Sequence, residues 1–134
     1  MFEQEDNWKF LKRKNNDFDY PYNTVDQSEI VVGMDSTLLY ESFARGTKTI
    51  FFDIRPKNSY LAKKRHFAWP KKYKKDGPFW TSSNEPKKIH QIIKNVSLIN
   101  SKDWKKIINK YKKNLMVSDD KNSFLKKIIK KYLK

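Results

Sequence analysis

Gly33, Asp35, Ser36, Thr37 and Glu41 stand close together behind a β-branched apolar run, Ile30-Val31-Val32. A strand that ends in glycine and runs into small hydroxyl residues opens a helix whose first turn is free of bulk. The first N–H groups of such a helix have no intrahelical partner, and the positive end of its dipole lies there, so the turn suits an anion. A diphosphate could rest on the amides that follow Gly33, with Asp35, Ser36 and Thr37 around it. Glu41 is four residues beyond Thr37 and shares its helix face. Its carboxylate could accept hydrogen bonds from a vicinal diol such as a ribose. The same residues also have structural uses. Asp35, Ser36 or Thr37 can cap the helix, and Glu41 can pair with Arg45. On sequence alone both readings stand.

Other chemistries lack their residues. Cysteine is absent and the histidines are His66 and His90, with no second metal ligand at useful spacing, so no metal is expected. No Gly-Lys-Ser/Thr P-loop occurs, and no three-glycine dinucleotide fingerprint. Gly33-Met34-Asp35-Ser36 lacks the glycine that a nucleophile elbow needs after its serine. His66, in a segment rich in lysine and aromatics, is either a base, a substrate contact or an exposed side chain. No catalytic residue stands out.

The elements that must hold these residues read as α/β. A strand over 29–32 is continuously apolar from Ile30, which suggests burial on both faces, as in a parallel sheet. A helix follows, with Leu38, Leu39, Ser42 and Phe43 on its core side and Gly46 as its stop. A second strand over 49–53 comes after a short turn, and a crossover of this kind makes the two strands parallel neighbours. Thr24 to Ser28 reads as a helical turn, and Pro21 as the end of any element before it. A short helix is expected near Asn7–Lys14. Residues 54–78 read as a long loop, and Phe79 to Ser82 as a last short strand. Three amphipathic helices close the chain. One begins at Asn84-Glu85-Pro86, with Ile89, Ile92, Ile93 and Val96 as its stripe. The next is capped by Ser101, with Trp104, Ile107, Ile108, Tyr111 and Leu115. The last opens at Ser118-Asp119-Asp120, with Phe124, Leu125, Ile128, Ile129, Tyr132 and Leu133. The expected organisation is an N-terminal arm over 1–23 and one domain over 24–134.

Charge is unevenly spread. The net charge is +15, yet residues 1–56 hold 7 basic and 10 acidic side chains, while residues 57–134 hold 23 basic and 5 acidic. Such a half suits nucleic acid or an anionic membrane face. However, 26 of the 30 basic residues are lysine, and Lys, Asn and Ile together make 48 of the 134 residues, as an AT-rich coding bias would produce. Arginine is the residue suited to phosphate forks and base edges, and its scarcity argues against nucleic acid. No apolar run reaches the length of a membrane span, and the acidic start has no apolar signal region. The cytoplasm is the expected compartment.

The run from Ser28 to Glu41 resembles the nucleotide-binding signature in the C-terminal domain of GT-B glycosyltransferases. More narrowly, Val31-Val32-Gly33, Ser36 through Glu41, Arg45-Gly46, Lys48 and Phe51-Phe52 are similar to bacterial surface-carbohydrate biosynthesis proteins. Phe79-Trp80-Thr81, Leu115-Met116 and Asp119 through Asn122 are similar to the tail of such proteins. The resemblance implies a small Rossmann-like parallel sheet, half of a GT-B fold, followed by basic helices. It implies glycosyl transfer from a sugar nucleotide in surface polysaccharide or lipopolysaccharide synthesis. Gly33, Asp35, Ser36, Thr37 and Arg55 would then face the donor and Glu41 its ribose, with no metal or other cofactor. A complete GT-B enzyme has two domains and this chain has room for one. The missing acceptor half implies a truncated frame, a relic, or a partner chain or second copy that completes the enzyme. Contact with an anionic face of the inner membrane fits the basic last helix.

Overall fold

The computed structural model describes residues 11, 20–56, 58, 60, 66–117, 119 and 121–133. The expected helix near Asn7–Lys14 lies outside the described residues, apart from Leu11. The elements run α1 (Tyr20–Asp26), β1 (Ile30–Gly33), α2 (Thr37–Arg45), β2 (Lys48–Phe52), β3 (Trp80–Thr81), α3 (Pro86–Leu98), α4 (Ser101–Leu115) and α5 (Ser123–Tyr132).

The fold is α/β around a three-stranded, fully parallel sheet in the order β1-β2-β3. Val31 pairs with Thr49 and Gly33 with Phe51; Phe51 pairs in turn with Trp80. The central strand β2 buries Thr49, Ile50 and Phe51. Successive side chains point to opposite faces, so both faces of β2 are covered. β1 does not share that fate. It is an edge strand and Val32 is 47% exposed, so burial on both faces, expected from its apolar run, is not realised. An apolar run reports what a strand can bury; the layers packed on the sheet decide whether it is covered, and the other edge strand, β3, is buried at both residues.

Local sequence explains most boundaries. Gly46 adopts φ +114 and donates its N–H to the carbonyls of Phe43 and Ser42, while Thr47 N–H also reaches Ser42 O. This is the left-handed stop for which glycine carries no Cβ penalty. Pro86 begins α3, where its missing N–H costs nothing. Pro21 behaves the same way. It lies in the first turn of α1, so the helix begins at Tyr20, before the helical turn expected over Thr24 to Ser28. α4 starts at Ser101, but its cap is Asn100, whose Oδ1 accepts from Asp103 N–H at 2.9 Å. α5 starts at Ser123, later than expected. Asp119 reaches forward to accept from Phe124 N–H and the Ser123 hydroxyl.

The core is aromatic. Phe43 stacks on Phe79 with centroids 4.8 Å apart, and Trp104 meets both edge-on. Phe67 stacks on Trp80 at 4.8 Å. Trp104 Nε1 donates to Gly46 O and Trp80 Nε1 to Lys74 O, so neither indole N–H is left unpaired. Leu39, Ser42 and Phe43 are the buried face of α2, with Leu38 only half-buried. The buried Ser42 hydroxyl is satisfied by Leu38 O.

Candidate functional site

All three strands are parallel, so their C-terminal ends lie on one edge of the sheet, where open α/β sheets place their ligands. Asp35 and Thr37 follow β1, Asp53 and Arg55 follow β2, and Ser82 and Asn84 follow β3. Two hollows open here. One, of about 650 Å³, is lined by Asp35, Thr37, Tyr40, His66, Trp69 and Met116, among others. The second, also about 650 Å³, is lined by Asp53, Arg55, Lys75, Ser82 and Asn84 among others.

Asp35 and Arg55 form an ion pair at 2.6 Å, and one partner lines each hollow. Arg55 is 12% exposed and Asp35 29%, so the pair is better shielded than a surface bridge. It neutralises the Asp35 carboxylate, which would otherwise repel an anion at the start of α2. Ser36 occupies the N-cap position and makes no side-chain cap bond. Its hydroxyl therefore satisfies none of the amides that open α2, the capping half of the sequence reading. Gly33 has a packing reason as well. A Cβ there would stand 2.9 Å from Leu39 Cδ1, so the glycine lets α2 close onto the strand end.

Glu41 turns away from both hollows toward α1. The Tyr22 hydroxyl faces its carboxylate, and the interaction with Glu41 is the main reason the Tyr22 pKa is raised. Among the described residues, Glu41 Oε2 is buried with no hydrogen-bond partner. The i,i+4 pair with Arg45 does not form. Arg45 grips Asp26 through Nε and Nη2, at 3.0 and 2.7 Å, and lies over the Tyr22 ring. Of the expected residues, the fold thus brings Asp35, Thr37 and Arg55 to one edge, sets Gly33 and Ser36 beside them, and leaves Glu41 one turn along, on the α1 side.

Sequence reasoning missed how the segment after residue 65 folds back. Asp53 Oδ2 accepts from Phe67 N–H at 3.0 Å, and the Tyr40 hydroxyl accepts from Ala68 N–H at 3.1 Å. These bonds tie His66–Pro70 over the start of α2. Burial is the main cause of a raised Tyr40 pKa, so its phenol stays protonated. His66 Nδ1 lies 3.0 Å from Phe67 O. A carbonyl oxygen only accepts, so the neutral ring that makes this bond is protonated on Nδ1 and offers Nε2 as an acceptor. Trp69 is 64% exposed at the mouth. The density of aromatics was the available signal for this lid-like segment, but its anchors, Asp53 and Tyr40, are ordinary element residues without tertiary knowledge. Among the described residues, no group of three His, Cys, Asp or Glu could hold a metal ion, and no helix is long and apolar enough to cross a membrane.

A small parallel sheet with a polar C-terminal edge defines the class: an α/β protein with a Rossmann-like sheet. Residues 1–133 match a protein-family model described as "putative O-antigen biosynthesis protein", and the chain belongs to that family. This places it with surface carbohydrate biosynthesis. No curated protein and no solved structure is significantly similar to it.

Proposed function

We propose that the chain is the donor-recognition domain of a GT-B-like glycosyltransferase in O-antigen synthesis, binding a sugar nucleotide at the C-terminal edge of its sheet. One observation carries the reading: α2 opens at that edge without a side-chain cap, beside the hollow lined by Asp35, Thr37, Tyr40, His66 and Trp69. The diphosphate rests on the first amides of α2, with Thr37 adding its hydroxyl and Arg55 offsetting charge. The ribose diol draws the Glu41 carboxylate from the α1 side, where it faces Tyr22, toward the hollow. Trp69 offers an aromatic face and His66 a ring nitrogen at the mouth. The domain holds the donor while a separate acceptor half supplies the acceptor.

The test is a thermal-shift and calorimetric screen of the folded chain against UDP-, GDP-, CDP- and CMP-sugars. Ligand that binds the native state raises the melting temperature by mass action. One nucleotide class is expected to bind. Thr37→Glu adds an anion at the helix start, which favours the helix itself but repels a diphosphate, so binding should vanish while the unliganded melt holds or rises. Glu41→Gln should weaken nucleotides that carry a ribose diol and spare the corresponding 2′,3′-dideoxy compounds. A cooperative melt with no binding at millimolar nucleotide overturns the proposal.

A further inference from the structure

The last helix is built to be buried and is not. Phe124, Leu125, Ile128, Ile129 and Tyr132 lie on α5, and none of its residues is buried. Tyr132 is 76% exposed and Phe124 71%. At about 100° per residue these five side chains fill a sector of about 140°, and Lys126, Lys127, Lys130 and Lys131 fill the opposite side. Residues 121–134 contain six lysines and no acidic residue. The helix is also held in shape before any partner arrives, because Asp119 caps its first turn.

We infer that α5 lies flat on an anionic lipid surface, its apolar sector in the acyl boundary and its lysines among lipid phosphates. Charge and residue type select this occupant. A second copy packed face to face would cover the apolar sector but leave the four lysines opposite it without a partner, whereas an anionic lipid surface answers both sides of the helix. A strongly hydrated ammonium on a flexible stem suits a wet layer of phosphate headgroups. Ten residues span only about 15 Å, too short to cross a bilayer, so the helix lies in the interface plane.

The experiment is sedimentation of the full chain with vesicles of phosphatidylcholine alone or mixed with phosphatidylglycerol, over a range of salt. The chain should sediment with the mixed vesicles, less so as salt rises, and not with phosphatidylcholine alone. Ile128→Asn with Ile129→Asn leaves every charge in place and should weaken binding by about tenfold or more, since two aliphatic side chains leave the lipid boundary. Both positions are exposed, and an unchanged circular dichroism melt verifies the fold. Lys→Gln at 126, 127, 130 and 131 should reduce the salt dependence. The inference is overturned if the wild type does not sediment with anionic vesicles, or if the double Asn variant binds as the wild type does, which would reduce the effect to the overall +15 charge. It also fails if the apolar sector is occupied by a second copy, seen as a dimer in sedimentation velocity that the double Asn variant dissolves.

Discussion

α4 and α5 follow one another in the chain and are written in the same language. Each has an apolar stripe at helical spacing, ends in aromatic and leucine residues, and is otherwise mostly lysine. Yet α4 buries Trp104 and Ile108, and α5 buries nothing. The difference lies in what each helix meets. α4 carries an indole that fits edge-on between Phe43 and Phe79 and closes a hydrogen bond to Gly46 O, 58 residues earlier in the chain. With that aromatic face filled, α5 finds no further core. Periodicity announces that a helix has an apolar side; the supply of complementary surface decides whether the side is used.

Cutting α4 away from the core should have the largest effect. Trp104→Ala removes the shared aromatic contact and is expected to cost about 3–5 kcal/mol, read by chemical denaturation; a loss below about 1 kcal/mol would mean that α4 is no better anchored than α5. Next comes Gly77→Ala. A Cβ at Gly77 would run into the buried Trp80 ring, and Trp80 is hemmed in by Phe67, Tyr73 and Tyr111. Overpacking of this kind costs about 1–3 kcal/mol. A neutral result would show that the core can shift to make room, and would weaken the contrast between a rigid core and a loose tail.

A smaller effect should follow acidification. Thr81 Oγ1 donates to Asp76 at 2.5 Å, and this bond, with Lys88 close by, holds the Asp76 pKa below the usual carboxylate value. A depressed native pKa stabilises the fold above the unfolded value, about 3.9, and that contribution is lost as pH falls through the lower native value. Asp76→Asn should therefore narrow the gap to wild type as pH drops below about 4, measured by melting temperature against pH. A gap that stays constant would remove Asp76 from the account of the β3 region. The smallest effect belongs to α5. Ile129→Ala should change stability by no more than about 0.5 kcal/mol, as for a surface position. A cost above about 2 kcal/mol would place that face in the core and erase the comparison.

The candidate edge was only partly legible beforehand. Gly33, Asp35, Ser36 and Thr37 were readable because strand, glycine and helix start are local signals, whereas Arg55 came only from the family resemblance. The position of Glu41 was readable as a helix face, but its turn toward Tyr22 was not, since the helical turn was expected only from Thr24 and α1 begins at Tyr20. The anchors of the His66–Pro70 segment were invisible for the same reason: Asp53 and Tyr40 lie 14 and 28 residues from the amides they receive, and no local pattern encodes such a meeting.

By itself the sequence determined the α/β alternation, the parallel pairing of β1 with β2, the stop at Gly46 and the apolar stripes of the last three helices, because caps, breakers and periodicity act within a few residues. Only the tertiary structure decided that β1 is an edge, that Arg55 closes on Asp35, that Arg45 prefers Asp26 to Glu41, and that α5 stays uncovered. Each of these outcomes is a competition for a partner far along the chain, settled by which surfaces the packed sheet leaves free.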